Sequence, residues 1–558
     1  MIRRSIRSLP GCMVIAALIW FLTGYILYPA LSTLKISLTH LDGFTTARYL
    51  DYFATATNLL VLKNSIVLGL LTVLTCGFVG TALAFAVHYF EFPFKQTVDK
   101  ILLLPVMMPG IIIVYAFEQL YGESGLVTKT LETILGLGSA PYHFIGLPGI
   151  LLVHTYTQYV YFYIAVSLAI RHIDLAVLES ARSLGASKFK VFTSVIRPFI
   201  TPALITAAAV TFMTGIGSFA APSIIGGSYK VLTTQILLAK ANNYMGIAAV
   251  QVVVLTFLSL IFFALLRWYE KRMLFDSSVK GVPIQPVRMR NPVARYALYL
   301  LAGFLMLAIF LPFATIIVLS FADSSSWMIS VYPREFTVDN FRAIFTRARK
   351  LQPFLTSVNM SLLAAFLCLL VAVPASYIIE KTRLKVRWLI EFLVILPWAM
   401  PASAVAVNLI NANSTPNIFA FNTILLGTYI LLPLGYFINS LPIMVKTVHI
   451  SFQNLSDTLT EASKSLGASG FQTCCKVSLP TLYPGLLAGF LFVFIRSIGE
   501  YTTSTFLYTA SNKPVSIAMV NAVFEYEMGL SMAYGTLLII LTGVLSLVIS
   551  RLRMKTTA

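Results

Sequence analysis

An apolar run of about twenty residues, the length that crosses a bilayer core, recurs along this chain and dictates its solvent. Twelve such runs lie near 11–34, 65–90, 101–121, 146–170, 201–225, 248–268, 296–320, 357–380, 388–412, 422–446, 483–509 and 530–550. A water-soluble fold of 558 residues has too little polar side chain here to cover itself: 58% of the residues are hydrophobic and 11% charged, against about 25% charged in ordinary soluble domains. The expected fold class is therefore an all-α membrane protein of about twelve transmembrane helices. Pro and Gly inside several runs are compatible with this, because neighbouring helices satisfy the freed backbone groups.

The formal charge of +19 does not point to nucleic acid, because the basic residues recur at the ends of the apolar runs. That is the distribution that fixes orientation in a membrane. With Arg3, Arg4 and Arg7 in the cytoplasm, alternation puts most of the 40 Lys and Arg on that side, including Arg171, Arg182, Lys188, Lys190 and Arg197. Both termini are then expected in the cytoplasm. The start, MIRRSIRSLP, is similar to a signal-peptide n-region, but the apolar run behind it reaches about Leu34 with no small-residue cleavage site. The expectation is a first membrane helix that is kept. Cys12, Cys76, Cys368, Cys474 and Cys475 show neither metal spacing nor a disulfide framework.

The chain repeats itself. Leu104-Pro105-x-x-x-Pro109 recurs as Leu396-Pro397-x-x-x-Pro401, and VLESARSLGASKFKVFTSVIRPFITPAL recurs as LTEASKSLGASGFQTCCKVSLPTLYPGL. Glu179, Gly185, Pro198 and Pro202 reappear 282 positions later as Glu461, Gly467, Pro480 and Pro484. Six helices per half give both copies the same orientation, a parallel repeat about an axis along the membrane normal. The halves span 1–268 and 296–558, joined by a polar, basic cytoplasmic linker at 269–295. About 24 residues are expected between the third and fourth helices of the first half and about nine in the second.

The duplicated cytoplasmic segment carries the mechanism. Residues 175–184 and 457–466 favour helix, with Asp174 and Ser456 as N-caps and Gly185 and Gly467 as stops. A second amphipathic stretch follows, and Pro198 and Pro480 mark the entry to the next membrane helix. Each half thus presents a helix, a glycine turn and a second helix, a peg suited to paired, identical partners. The bland reading, an amphipathic loop on the membrane surface, does not explain two copies with the same Glu, Gly and Pro spacing.

Glu461-Ala462-Ser463-x3-Gly467-x9-Val477-x-Leu479-Pro480 resembles the EAA motif of type I ABC importer permeases. The first copy, Glu179-Ser180-Ala181-x3-Gly185-x9-Val195-x-Arg197-Pro198, departs at Ser180 and Arg197. The resemblance covers essentially the whole chain. It implies that Glu179–Gly185 and Glu461–Gly467 are coupling helices, seated in grooves of two copies of an ABC ATPase subunit. It also implies a periplasmic or lipid-anchored solute-binding protein on the outer face, and residence in the bacterial cytoplasmic membrane. No G-x-x-x-x-G-K-[ST] phosphate loop occurs, so the chain is not expected to be an enzyme. ATP and Mg belong to the partner ATPase, and this chain is expected to bind no cofactor, metal or nucleic acid.

The same resemblance implies a path between the halves, lined by the third, fourth and fifth helices of each. Arg496 and Glu500 fall in the eleventh apolar run at a spacing that shares one helix face. They read either as path or gate residues or as a packing ion pair. Thr214 and Ser218 hold the matching positions in the first half, and Gly217 matches Gly499. Tyr156 and Gln158 in the Tyr-rich fourth run are candidates for a polar route or for an interfacial aromatic belt. The paired prolines are candidates for gate kinks; His88, His154 and His172, which lack ligand spacing, are read as structural. A secondary transporter would leave the pegs unexplained, and no catalytic constellation supports a membrane enzyme. Two fused halves resemble ferric-iron importer permeases most, then 2-aminoethylphosphonate or phosphorylated-solute permeases, with thiamine and polyamine types beyond.

Overall fold

The computed structural model describes residues 9–40, 43–273, 291–324 and 332–557. Residues 274–290 of the expected linker lie outside the described residues. Among the described residues nine single helices are long and apolar enough to span a membrane, and two further crossings are bent helix pairs. The long helices are numbered in chain order. They are α1 Gly11–Ser37, α2 Ala56–Tyr89, α3 Gly110–Tyr121, α4 Leu147–Arg171, α5 Arg197–Ile216 and α6 Met245–Met273. The second half repeats them as α7 Pro292–Ser320, α8 Ala348–Lys381, α9 Ala402–Asn413, α10 Leu431–Gln453, α11 Leu479–Ile498 and α12 Met528–Thr557. With its central run of Tyr, Thr, His and Gln, α4 is 25 residues long but less apolar than the nine.

The bent pairs follow from the repeated Leu-Pro-x-x-x-Pro. Pro105 and Pro397 open short 3-10 turns, Leu104–Met107 and Leu396–Ala399. The residue before the second proline is forced extended, at ψ 144 for Met108 and ψ 119 for Met400. Pro109 and Pro401 then start α3 and α9, and the crossings bend by 101° and 114°. A proline lacks the N–H that would carry the helix through.

Several expected ends move. The 201–225 run stops at Ile216, and a separate helix Ala220–Ile225 follows. The 483–509 run stops at Ile498 before a matching helix Thr502–Leu507. Helix α10 begins at Leu431, because Asn417 caps a short turn and Gly427 takes φ 84 in the connection ahead of it. That connection, 414–430, is thus longer than the nine residues expected. The first half holds an extra helix at this point, Leu126–Leu135, ten residues long. It accounts for the change in repeat offset from 292 (396 − 104) to 282 (461 − 179).

Helices α2 and α4 pack together, as do α8 and α10, and α5 and α11 lie against α2 and α8. The first helix of each half reaches across. Residues Tyr28–Ser37 of α1 pack on α9, and α7 packs on α3. Asn411 Nδ2 donates to Thr33 Oγ1 at 3.0 Å, and Tyr156 Oη to the Ile309 carbonyl at 2.7 Å. One apolar core consequently runs through both halves, from Leu22 and Ile111 to Leu409 and Phe437.

Candidate functional site: paired pegs and a crossed gate

The first peg helix, Leu175–Ser183, is capped by Asp174, whose Oδ1 accepts from Ala176 N at 2.9 Å, and is anchored by buried Leu178. The second, Asp457–Ser465, follows Ser456, whose hydroxyl turns to Thr458 Oγ1 at 2.5 Å and makes no backbone cap. Lys381 bridges to Asp457 at 2.7 Å and ties the start of this peg to α8 instead. Gly185 and Gly467 stop the helices at φ 80 and 82. The same two turn bonds close each stop: Gly185 N to Arg182 O and Ala186 N to Ala181 O, Gly467 N to Lys464 O and Ala468 N to Ser463 O. A Cβ at either glycine would meet nothing within 4 Å, so backbone conformation alone demands glycine.

Glu179, Ser180, Glu461 and Ala462 are exposed, while Ala181 and Ser463 are half-buried. Ser463 Oγ lies 3.1 Å from Thr473 Oγ1 of the following helix. At the tips, Leu184 and Leu466 are 88% and 89% exposed, and Phe189 and Phe471 are 77% and 79% exposed. Such large apolar side chains at equivalent places mark a surface made to be covered.

The second peg helix is not separated from the membrane helix, contrary to expectation. One continuous helix runs Phe189–Ile216, and another Gly470–Ile498. The π-turns Phe192–Ile196 and Cys474–Ser478 lie just ahead of Pro198 and Pro480. Their wider rings accommodate a residue that cannot donate to i−4, so the helix passes through without a break.

Each of these helices ends on the opposite half. A Cβ on Gly217 would lie 3.0 Å from Pro401 Cβ, and one on Gly499 would lie 2.2 Å from Pro109 Cβ. The glycine after α5 therefore packs on the proline that opens α9, and the glycine after α11 on the proline that opens α3. Phe219 and Tyr501, equivalent in the repeat, meet with ring centroids 5.6 Å apart, and Phe219 also meets Phe506 at 5.7 Å. Equivalent residues of the two halves thus meet each other at this crossed contact.

From each gate glycine an exposed stripe descends towards the pegs. It carries Thr206, Val210 and Thr214 on α5, and Phe492 and Arg496 on α11, with Thr214 half-exposed. The residues lie three or four apart, on the side of the helix that the glycine turns to the other half.

The candidate path residues fall in different settings. Thr214 Oγ1 donates to buried Gln158 Oε1 at 2.6 Å. Ser218 Oγ lies 2.8 Å from His154 Nε2, whose Nδ1 lies 2.9 Å from Thr72 Oγ1, so this group joins α2, α4 and the gate turn. Tyr156 turns to α7, where its hydroxyl donates a hydrogen bond to the Ile309 carbonyl, and packs on Phe117 at 4.9 Å. It is a packing residue between helices of the two halves.

Arg496 and Glu500 do not share a helix face, because α11 ends at Ile498 and Gly499 turns the chain. Glu500 instead heads the next helix: Oε1 accepts from Thr503 N at 3.0 Å and Oε2 from Ser504 N at 3.2 Å. Among the described residues no Arg496–Glu500 ion pair forms, and Arg496 is exposed.

The sequence reasoning missed Lys446. It fell at the end of the expected 422–446 run, but α10 continues to Gln453 and places it well inside the helix. Its ammonium sits 5.4 Å from the centroid of the Trp398 ring, in the turn between Pro397 and Pro401. The tryptophan between the two repeated prolines was the available signal.

Comparison with known proteins agrees with this architecture. The model of the binding-protein-dependent transport system inner membrane component family matches twice, at residues 78–275 and 372–553. The chain is 30% identical over 557 residues to the probable ABC transporter permease protein y4fN of Sinorhizobium fredii, covering 98% of this chain and 96% of the relative. It is 25% identical to the ferric transport system permease protein FbpB of Actinobacillus pleuropneumoniae, over 86% of this chain and 69% of that protein. The spermidine/putrescine transport system permease protein PotB of Escherichia coli is 30% identical over 38% of this chain and 80% of its own length. With its duplicated pegs and crossed helices, the chain belongs to the binding-protein-dependent transport system inner membrane component family, the permease subunits of ABC importers, and carries both permease halves in one polypeptide.

Proposed function

We propose that this permease admits a small solute by alternating access, driven by two copies of an ABC ATPase subunit on its pegs and supplied by a periplasmic or lipid-anchored binding protein at the opposite end. One observation carries the reading. The exposed Leu184, Phe189, Leu466 and Phe471 sit at the foot of helices that run unbroken to the gate glycines. A helix of 28 residues is about 42 Å long. A shift imposed on a peg is therefore delivered to Gly217–Pro401 or Gly499–Pro109 as a rigid displacement. Closure of the ATPase pair on ATP parts the crossed contacts; hydrolysis lets them re-form. ATP and Mg remain with the ATPase, and this chain performs no covalent chemistry. Both termini and both pegs face the cytoplasm of a bacterial cell, in keeping with the basic residues at the peg end.

Ferric iron is the favoured solute, by likeness to the ferric relatives; 2-aminoethylphosphonate or another phosphorylated organic solute is the alternative. The test of the coupling is Leu184→Asp with Leu466→Asp. The variant should insert and elute like the wild type, lose the co-purifying ATPase and stop ATP-dependent uptake. An ATPase that stays bound, with uptake intact, would overturn the reading.

A further inference from the structure

We infer that a cavity at the end of the molecule opposite the pegs holds the headgroup of a phosphoethanolamine lipid, with its phosphate on Arg48 and its ammonium on Asp51. The cavity, about 660 Å³, lies where the helix Ala47–Ala54 meets the starts of α2 and α6. Arg48, Asp51, Thr55, Asn58 and Ile247 are among the residues that line it. Its volume is within the range of small-ligand sites, about 300–1,000 Å³. From here α2 runs to Tyr89, whose hydroxyl accepts from Arg182 of the first peg at 3.4 Å, so cavity and peg lie at opposite ends of one helix.

The repeat shows what is particular to this cavity. Arg48 Nη1 donates to the carbonyls of Ile36 and Thr39, both at 2.7 Å. Its equivalent, Asn340, donates to those of Ser320 and Ala322, both at 3.0 Å. A neutral amide thus ties down the end of α7 as the guanidinium ties down the end of α1, and the charge on Arg48 is surplus to that task. Asp51, whose equivalent is Ala343, is exposed, and among the described residues it forms no ion pair, with Arg48 three residues earlier or with any other. In the second half Lys350 bridges Glu527 at 2.8 Å, and Leu530, three residues on, is 5% exposed. The equivalent first-half residues, Asn58 and Tyr244, are uncharged, and Ile247, equivalent to Leu530, is 46% exposed. An internal ion pair therefore fills the second site, while the first stays open with two opposite charges that the protein does not join. A cavity beside the matching loop of the second half is lined by apolar side chains and Thr337, with no charge.

A cation and an anion that line one cavity without meeting match a ligand that carries both charges. A guanidinium suits the oxygens of a phosphate ester. The Asp51 carboxylate suits an ammonium, and so does Asn58 Oδ1, since Asn58 Nδ2 is engaged by the Tyr52 carbonyl at 3.3 Å. The rim names the source of that headgroup. Leu50 and Phe53 are exposed on the helix Ala47–Ala54, and Leu59 and Leu60 on the first turns of α2. A short amphipathic helix of this kind lies at the boundary between headgroups and acyl chains. Chains attached to the ligand would cover this apolar surface, which a soluble zwitterion would leave bare. Phosphatidylglycerol lacks the ammonium, and the trimethylammonium of phosphatidylcholine has no N–H for the two acceptors.

The test is lipid retention. The full-length permease is delipidated in detergent, offered equal amounts of phosphatidylethanolamine, phosphatidylglycerol and phosphatidylcholine with the same acyl chains, and scored by native mass spectrometry. One phosphatidylethanolamine should be retained in preference to the other two. Asp51→Asn should lower that preference about fivefold, the worth of one partly exposed ion pair; Asp51 is exposed, so this variant reports binding without a loss of folding. Asn58→Lys with Tyr244→Glu copies the ion pair of the second half into the cavity and should abolish the preference. Glycerophosphoethanolamine, the same headgroup without chains, should not displace the lipid at equal concentration. Equal retention of the three lipids would overturn the inference, and so would a preference that survives both sets of substitutions. Displacement by the chainless headgroup would give the cavity to a soluble zwitterion and end the lipid assignment.

Discussion

Gly217 and Gly499 are glycine for room and not for backbone freedom, since φ is −84 at one and −109 at the other. Any side chain would strike a proline of the opposite half. Gly499→Ala is expected to force the gate apart at about 1–3 kcal/mol, the usual cost of overpacking. Gly217→Ala should do less, because its contact is 3.0 Å against 2.2 Å. Labelling of a Phe219→Cys reporter from the end opposite the pegs measures this; no increase in either variant would refute a close-packed gate. Glu500 has the other kind of role at this scale. Both its oxygens take backbone N–H groups, and Gln keeps only one acceptor. Glu500→Gln should lower stability by about 1–3 kcal/mol, while Arg496→Gln, with no ion pair to lose, should leave the melting temperature in place. Equal losses would restore the packing pair that the spacing of the two residues had left open.

Among the elements, the peg and its membrane helix act as one lever. The π-turns Phe192–Ile196 and Cys474–Ser478 are the joints a hinge would need, yet they keep the helix continuous. A Gly-Gly insertion at 193–194 should break the lever. The ATPase should still co-purify and hydrolyse ATP, but uptake should fall to background; unimpaired uptake would mean that force travels by another route. Gly185→Ala and Gly467→Ala bear on the stop of the first peg helix. Each should cost about 1 kcal/mol through the left-handed backbone. These stops were legible, because a glycine cap is a local property of the chain. The unbroken passage was not: Pro198 and Pro480 read as helix starts, and only a wider turn one step earlier removes the conflict.

For the whole molecule, the crossing of first helices decides how the halves hold together. With α1 on α9 and α7 on α3, each half covers part of the other's apolar surface, although α1 also packs on α6 and α7 on α12 of its own half. Split into 1–282 and 283–558, the two pieces should co-purify and support uptake when made together, and each should aggregate alone. A first half that is monodisperse on its own would contradict the shared core. The rolled-out order of twelve helices was readable from hydropathy. Which half each helix embraces was not, because nothing in an apolar run says which of several equally apolar neighbours it will meet.

The amino-acid sequence determined the solvent, the duplication, the glycine stops and the proline bends, since each follows from the chemistry of a few adjacent residues. The tertiary structure alone decided that Gly499 meets Pro109, that Glu500 caps a helix, that Tyr156 serves α7 and that Lys446 lies over the Trp398 ring. Those outcomes depend on where each helix ends and how it is rotated about its axis. Both are set by packing between segments far apart in the chain, where one residue's shift in a helix end turns a side chain by about 100°.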